Sequence, residues 1–226
     1  MTGILLRAEA PVTLVGGGAK ERLAAALALA PVVVAADGGG NSALPPGFEF
    51  RAVIGDMDSL RDPAALRARG VSLHEVTEQI STDLEKCLYS IEAPLILGVG
   101  FLGGRLDHQL AAMNALVKHP ARVVLIGRDD ICFLCPPDFA LEMAAGERVS
   151  LFPMGPVTGV LGEGLRWPIS GLRFAPDGRI GTSNAALGGP LRLGFDAPKM
   201  LVILPAAYLA SVADRLRSLG SPDLNP

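Results

Sequence analysis

Two aspartates, Asp56 and Asp58, stand two residues apart directly after a short apolar run, residues 52–54, that predicts a strand. In extended backbone, residues i and i+2 point to the same side, so we expect both carboxylates to face one point beyond the strand's carboxyl end. Open α/β sheets bind their ligands at that edge. Two close like charges favour a bound cation, and Mg²⁺ suits oxygen ligands. On this stretch alone, a solvated turn capped by one aspartate is an equally good interpretation.

Other predicted strands also end in glycines and polar groups. The glycines at 16–18 separate a strand over 12–15 from a helix predicted over 19–29, and backbone N–H groups in such a turn can cradle phosphate. Asp37 and three glycines follow the strand over 32–36. Arg105 follows two glycines after the strand over 95–99, where a guanidinium could bind phosphate. Each turn alone has a simple structural explanation, but together they predict one ligand site at one sheet edge.

A helix is predicted to begin at Thr82, because Glu85 three residues later completes a capping box. Asp83 and Lys86 lie three apart on one face of this helix. They could serve a metal ion and a phosphate, or they could form an ordinary surface ion pair. The next helix is predicted over 107–118, with Asp107 as a possible N-cap and His108 as a structural residue at its start.

The order of the predicted elements indicates the fold class. Residues 11–127 alternate strand and helix, which predicts an α/β domain with a mostly parallel sheet flanked by helices. From residue 129 the segments are short and separated by glycine and proline, which predicts a C-terminal β-sandwich or barrel domain. We therefore expect domains at 1–128 and 129–226. A C-terminal helix is predicted over 208–219, followed by a loose tail at 221–226.

Composition limits the function classes. The 226-residue chain is half hydrophobic, carries a formal net charge of −3 and contains three cysteines. It lacks basic blocks, so we expect no nucleic-acid partner, and no apolar run is long enough to predict a membrane span. Arg7 and Glu9 interrupt the first residues, so we predict no signal peptide and a cytoplasmic protein.

Six motifs, taken in order, resemble those of the thiamine pyrophosphokinase family, and they extend over nearly the whole chain. They are Ala36-Asp37-Gly38-Gly39-Gly40-Asn41, Gly55-Asp56-Met57-Asp58-Ser59, Gln79-x-x-Thr82-Asp83-x-x-Lys86-Cys87-Leu88, Gly103-Gly104-Arg105-Leu106-Asp107-His108, Gly164-Leu165-Arg166-Trp167-Pro168-Ile169 and Gly181-Thr182-Ser183-Asn184. Each motif is short, but their joint order and spacing are specific. Gly40 stands where the family usually has Ala, and Met57 where Phe is common; the acids beside them are present.

The resemblance implies an α/β nucleotide-binding domain followed by a β-sandwich domain, in a homodimer with active sites at the subunit interface. It implies transfer of the pyrophosphoryl group of ATP to the hydroxyl of thiamine, with Mg²⁺ as the cofactor. The products are thiamine diphosphate and AMP. This agrees with the residues, because phosphoryl-type transfer depends mainly on positioning and charge neutralisation.

The resemblance also implies roles for individual residues. Asp56, Asp58 and Asp83 would surround Mg²⁺ and the ATP phosphates, as metal ligands and catalytic residues. The implied substrate-binding residues are Gln79, Lys86, Arg105 and Asp107 for the nucleotide, and Trp167, Ser183 and Asn184 for thiamine. Asp37 joins the substrate-binding positions with a role that its motif does not fix. The acceptor of the hydroxyl proton is open between Asp83 and Asp58.

Two other functions fit the residues. One is pyrophosphoryl transfer to another hydroxymethyl compound, such as a reduced pterin, with the same ATP-binding half. The other is a non-catalytic nucleotide-binding module that kept the fold. The presence of every acidic position argues against the second.

Overall fold

The structure is a computed structural model that describes residues 3–119 and 121–219. The chain divides into two compact units, one up to residue 128 and one from residue 129. Both contain β-sheets, and helices occur in each, so the predicted mixed α/β class is confirmed. The tail predicted at 221–226 lies outside the described residues.

The first unit is built on a parallel sheet. Its strands are β1 (Leu6–Arg7), β2 (Val12–Val15), β3 (Val32–Ala36), β4 (Phe50–Gly55), β5 (Ser72–Glu75), β6 (Ile91–Glu92), β7 (Ile96–Val99) and β8 (Val123–Ile126). Neighbouring strands pair in parallel in the order β8-β7-β2-β3-β4-β5, while β1 and β6 pair separately. Every residue of β2, β7 and β8 is buried, as expected for strands covered on both faces.

The strand order reverses between β2 and β7, since the chain runs outward from β2 to β5 and then returns to β7 and β8. In open α/β sheets such a switch point opens a crevice at the carboxyl ends of the strands, where ligands bind. The sheet topology therefore places a binding crevice beside the loops that follow β2 and β7.

Helices connect these strands. They are α1 (Leu23–Leu29), a 3₁₀ turn (Asp37–Asn41), α2 (Pro63–Ala68), α3 (Asp83–Ser90) and α4 (Leu106–Lys118). Helix α3 packs on β3, β4 and α4, and its predicted capping box between Thr82 and Glu85 is confirmed. Helix α1 begins four residues later than predicted, because the chain leaves the glycine loop through a turn that bonds Leu23 N–H to the Lys20 carbonyl.

The second unit consists of antiparallel strands and one helix. The strands are β9 (Asp130–Leu134), β10 (Phe139–Met143), β11 (Arg148–Pro153), β12 (Val157–Glu163), β13 (Arg173–Phe174), β14 (Gly181–Ala185), β15 (Gly189–Phe195) and β16 (Met200–Pro205), followed by a 3₁₀ turn (Ala206–Tyr208) and α5 (Leu209–Ser218). They pair in the orders β14-β11-β16-β9 and β10-β15-β12-β13. Helix α5 confirms the predicted C-terminal helix, and the sandwich arrangement stays a prediction.

Among the described residues, no helix has the length and apolar character that crossing a membrane requires.

Candidate active site

A cleft of about 810 Å³ opens in the first unit, and the loops after several parallel strands line it. Gly16 to Gly18 come from the loop after β2, and Gly100 and Phe101 from the loop after β7. Asp37, Asp56, Gln79, Asp83, Lys86 and Arg105 line it as well. The structure thus brings together residues that the sequence placed on separate loops at one sheet edge.

The glycine loops after β2 and β7 meet backbone to backbone. A Cβ added at Gly16 or Gly18 would lie 2.8 or 2.7 Å from the Gly100 carbonyl oxygen. Gly100 itself has φ +86°, a conformation that L side chains rarely adopt. Glycine is required here because any side chain would separate the two loops and fill the cleft edge where a ligand can approach backbone N–H groups.

Asp37 lies at the end of β3 and is almost fully buried, with 3% of its surface exposed. Its backbone has φ 38°, which is uncommon for a residue with a side chain. Gly55 makes room for it, since a Cβ at that position would come within 2.6 Å of the Asp37 Cβ. The buried Oδ1 has no hydrogen-bond partner among the described residues. A buried carboxylate oxygen left without a partner is costly, so this oxygen is suited to a ligand.

Asp37 and Asp56, which line the cleft, form an acidic cluster with the exposed Asp58. Each offers one carboxylate oxygen, and these three oxygens lie within 4.8 Å of one another. Such oxygens, one buried, one half-buried and one exposed, fit a hard divalent cation. The sequence had grouped Asp83 with Asp56 and Asp58; in the structure Asp37 joins these two, and Asp83 lies outside the group of three.

The two aspartates of the Gly55-Asp56-Met57-Asp58 stretch converge for a reason that differs from the prediction. Strand β4 ends at Gly55, and Met57 has φ 67°, so the residues between the two acids form a turn instead of an extended strand. The Asp58 backbone N–H within this turn adds a small contribution, after the Lys86 and Gln79 side chains, to the lowered pKa of Asp56. The expectation of extended backbone was wrong, while the expected proximity of the two carboxylates holds.

Lys86 supplies the internal positive charge of the site. Its side chain is only 2% exposed, and its Nζ lies 2.8 Å from Asp56 Oδ2 and 3.5 Å from Asp83 Oδ1. Burial lowers the pKa of Lys86, but the hydrogen bond to Asp56 and the two carboxylate charges outweigh it and raise the pKa above its ordinary value. The hydrogen bond from Lys86 likewise holds the pKa of Asp56 below 3.8, although burial opposes it.

Asp83 lies outside the cluster of three and faces Lys86 from the first turn of α3. Burial raises the pKa of Asp83 above its ordinary value of 3.8; Lys86 opposes the shift, and the charges of Asp37 and Asp56 add to it. The same cleft therefore holds one carboxyl with a lowered pKa and one with a raised pKa, a difference typical of acid–base sites.

Gln79 reaches the cluster, because its Nε2 donates to Asp56 Oδ2 at 3.2 Å. The loop that carries it is held by Glu78, a residue that the sequence analysis missed. The Glu78 carboxylate accepts from Ser81 Oγ, from the Tyr89 hydroxyl at 2.8 Å, and from the N–H groups of Ser81 and Ile80 at 3.0 and 2.7 Å. These bonds, the one from Ser81 Oγ first, lower the pKa of Glu78 to about 2. Its only signal in the sequence was an acid next to Gln79.

Arg105 lines the cleft, but its guanidinium is already paired. It binds Asp107 through two bonds, Nη2 to Oδ2 at 2.6 Å and Nε to Oδ1 at 3.2 Å. Both side chains are well exposed, so the pair is weak and a phosphate could replace Asp107. The Asp107 side chain does not cap α4, whose N-cap residue is Arg105. His108 also lines the cleft.

Three further polar residues of the cleft were missed. Lys20 donates from Nζ to the Gly18 carbonyl at 2.6 Å, and partial burial lowers its pKa. Asn41 joins two loops, since its Nδ2 donates to the Ser59 carbonyl at 2.8 Å and its Oδ1 accepts from the Arg61 N–H at 2.9 Å. Lys20 and Arg61 add positive charge to a cleft that would bind an anion.

The predicted residues of the second unit lie on β14 and on the segment before β13. Trp167 is 53% exposed, and the Arg166 guanidinium carbon lies 4.9 Å from its ring centroid. Ser183 has φ 62°, and its N–H donates to Ser150 Oγ at 3.0 Å. Asn184 is buried, and its side chain bonds to backbone groups of Trp167 and Ala185.

The raised pKa of Asp83 gives a prediction for stability. An ionised carboxylate with a raised folded-state pKa costs stability above its unfolded-state pKa, and the cost disappears when acid protonates both states. We therefore expect Asp83→Asn to unfold at a higher temperature than the wild type at pH 7. The difference should shrink as the pH falls through the raised pKa, as measured by circular dichroism melts from pH 7 to pH 3. The exposed Asp177→Asn is the control, and an Asp83→Asn variant that melts below the wild type at pH 7 would contradict the expectation.

Comparison with known proteins supports a relation over both units. The family described as "Thiamin pyrophosphokinase, catalytic domain" matches residues 23–125, and "Thiamin pyrophosphokinase, vitamin B1 binding domain" matches residues 138–200. Thiamine pyrophosphokinase 1 of Oryza sativa subsp. japonica is 32% identical over 164 residues, 64% of this chain and 62% of that protein. Thiamine pyrophosphokinase 3 of the same organism is 30% identical over 189 residues, 69% of this chain and 71% of that protein. The match thus covers about three fifths of the first relative's length and more of the other's.

Solved structures resemble the chain in fold. Thiamin pyrophosphokinase from Candida albicans aligns with a TM-score of 0.72 at 15% identity, over 88% of this chain and 92% of that one. Yeast thiamin pyrophosphokinase aligns with a TM-score of 0.72 at 17% identity, over 96% and 94%. At such identities the likeness concerns the fold alone.

Proposed function

The chain belongs to the thiamin pyrophosphokinase family, and from this premise we propose that it transfers the pyrophosphoryl group of ATP to the hydroxyl of thiamine, giving thiamine diphosphate and AMP. The observation that carries the proposal is the acidic cluster of Asp37, Asp56 and Asp58, whose oxygens lie within 4.8 Å of one another. The cluster stands at the carboxyl ends of parallel strands, and two of its members, Asp37 and Asp56, line a cleft that glycine loops and basic residues also line.

The cation that we propose is Mg²⁺, held by Asp37, Asp56 and Asp58. The donor set is all carboxylate oxygen, which suits Mg²⁺ better than softer metals. The buried Asp37 Oδ1 fits the role because it has no other partner among the described residues. When bound, the ion supplies positive charge against the polyphosphate oxygens. Asp83 remains a predicted ligand, from a position beside Lys86.

The basic groups of the cleft hold and orient the polyphosphate. Lys86 keeps Asp56 ionised and fixed, so it acts as an internal countercharge as much as a phosphate ligand. Arg105 offers a planar fork that matches phosphate oxygens, and Lys20 has two N–H donors left beyond its bond to Gly18. The backbone N–H groups of the loop at 16–18 can add contacts without charge.

Of the two acceptors that the sequence left open for the hydroxyl proton, Asp83 is favoured over Asp58. It is outside the acidic cluster, so its oxygens are not needed for the cation. Burial raises the pKa of Asp83, which suits a proton acceptor, whereas Asp58 belongs to the three carboxylates proposed for the cation.

The proposal also covers the site that binds thiamine, the fold of the second unit and the oligomeric state of the protein. Trp167 and Ser183, in the matched vitamin B1 binding domain, contact thiamine. The two antiparallel sheets of the second unit form the sandwich, which the rings of Phe133 on β9 and Phe139 on β10 support with centroids 5.2 Å apart. The proposal includes the cytoplasmic location that the sequence predicts and the homodimer that the motifs imply, with active sites at the subunit interface; light scattering of the purified protein gives its mass.

The test is product analysis by chromatography. With ATP, thiamine and Mg²⁺, the protein should form AMP and thiamine diphosphate in equal amounts, and excess chelator should stop both. A hydroxymethyl pterin in place of thiamine should give no AMP. ADP as the nucleotide product, AMP without a phosphorylated acceptor, or turnover of the pterin alone would refute the proposal.

A further inference from the structure

We infer that Asn184 is a positioning residue that holds the Trp167 main chain in place, so that the exposed indole can receive thiamine, and that it does not itself bind the substrate. The inference rests on the proposed function for its substrate. It corrects the direct thiamine contact that the motif at 181–184 implies for Asn184.

The hydrogen bonds of the Asn184 side chain are directed at backbone. Oδ1 accepts from the N–H of Trp167 at 3.1 Å and from the N–H of Ala185 at 2.8 Å. Nδ2 donates to the carbonyl of Trp167 at 2.8 Å. An amide oxygen has two lone pairs, and both are in use here. With 6% of its surface exposed, the side chain has little room for a ligand.

The segment that Asn184 holds has few other constraints near the indole. The Arg166 N–H donates to the Ala185 carbonyl at 2.8 Å, and the Leu187 N–H donates to the Gly164 carbonyl at 2.9 Å. Gly164 has φ +77° and no space for a Cβ, which would come within 2.4 Å of the Pro190 carbonyl oxygen. These bonds fix the backbone of residues 164–166. The Asn184 amide then bonds both the backbone N–H and the carbonyl of Trp167, the next residue.

The indole depends on this attachment because it has little packing of its own. Trp167 is 53% exposed, and the flexible Arg166 side chain lies over its ring, with the guanidinium carbon 4.9 Å from the ring centroid. An aromatic ring binds a flat cationic ligand well only if its orientation is set before binding. Orientation of Trp167 therefore comes from its backbone, through Asn184.

Ser183, the neighbour of Asn184, is held in a similar way from a different element. Its backbone is left-handed, and its N–H donates a hydrogen bond to Ser150 Oγ at 3.0 Å. Ser150 is buried, and Arg148, which is paired with Asp130, donates to it at 3.4 Å. Trp167 is thus exposed and Ser183 has a strained backbone, and the buried side chains of Asn184 and Ser150 behind them fix their backbone.

The experiment uses the one tryptophan of the chain as its reporter. Asn184→Ala should increase acrylamide quenching and lower the fluorescence anisotropy of Trp167 without any ligand. In the same variant, the KM for thiamine should rise about tenfold, as expected from the loss of the two hydrogen bonds that hold the Trp167 backbone, while the KM for ATP stays within about twofold. Asn114→Ala, an exposed asparagine on α4, is the matched control and should change neither quantity.

Asn184→Ser is the second variant and keeps the assay usable if Asn184→Ala folds poorly. Its hydroxyl can still make a hydrogen bond and adds no buried charge, so its anisotropy and thiamine KM should lie between those of wild type and Asn184→Ala. A raised thiamine KM with unchanged anisotropy would mean that Asn184 contacts thiamine directly, and this overturns the inference. A mobile indole with an unchanged thiamine KM overturns it as well. Absence of AMP formation by the wild type refutes the proposed function instead, and the fluorescence measurements still test the attachment.

Discussion

Asp56→Asn is expected to lower AMP formation by more than about 100-fold while the protein stays folded, since even changes one shell away from a metal cost about 10- to 100-fold. Asp56 belongs to the acidic cluster and also accepts from Lys86 and Gln79. The asparagine keeps the shape but removes the charge that attracts the cation and fixes Lys86. Steady-state rates of AMP release, measured over a Mg²⁺ titration, should show both a lower maximum and a weaker metal dependence.

Stability supplies a second measurement on the same variant. The pKa of Asp56 is lowered in the folded state, so its ionised form stabilises the protein above the unfolded-state pKa. That contribution is lost as the pH falls through the lowered pKa. Asp56→Asn should therefore melt below wild type at pH 7, and the difference should vanish in strong acid. This is the opposite sign from Asp83→Asn, and the two variants together test the charge assignment of the cleft.

The control for Asp56→Asn is Asp62→Asn. Asp62 is a nearby acid that caps α2 by accepting from the Ala65 N–H at 2.9 Å, and asparagine caps helices equally well. We expect its activity and melting temperature to match the wild type. Full activity of Asp56→Asn would remove the metal site from the proposal.

Local signals in the sequence were sufficient to predict the helices and strands and part of the candidate active site. The capping box at Thr82 located the start of α3, and the acids after apolar runs located the edge of the sheet where the cleft lies. These predictions succeeded because each depends on neighbours in the chain and on the fixed geometry of parallel strands.

Long-range and conformational features could not be read in the same way. Lys86 meets Asp56 across 30 residues because α3 packs on β4, and no spacing rule predicts that contact. The turn at Met57 requires a positive φ that methionine rarely adopts, so extended backbone was the natural expectation. The left-handed residues Asp37, Met57 and Ser183 all lie in the six motifs, which agrees with the tendency of strained backbone to occur at functional sites.

Lys86→Met is expected to have the second large effect, on stability as well as on activity. Removal of one partner from a buried ion pair costs about 3–5 kcal/mol, because the remaining charges stay buried without compensation. Here Asp56 would lose its nearest cation beside Asp37, while solvent partly screens Asp83, whose side chain is 43% exposed, so we expect a loss near the lower end of that range. Denaturant unfolding should show this loss, and AMP formation should fall by about 100-fold or more because the site loses its fixed positive charge.

Because Lys86 lies beside the acidic cluster, a response to Mg²⁺ can distinguish this loss of stability from simple damage to the core. If the carboxylates of Lys86→Met repel one another, added Mg²⁺ should raise its melting temperature more than that of the wild type, since the ion replaces the missing charge. Arg69→Met is the control: Arg69 pairs with Glu49, and both side chains are exposed, so solvent screens the charge that remains. We expect the control to lose at most about 1 kcal/mol, without a special response to Mg²⁺. Equal losses in the two variants, or a Lys86→Met protein that Mg²⁺ leaves unchanged, would show that Lys86 does not neutralise a metal-binding cluster.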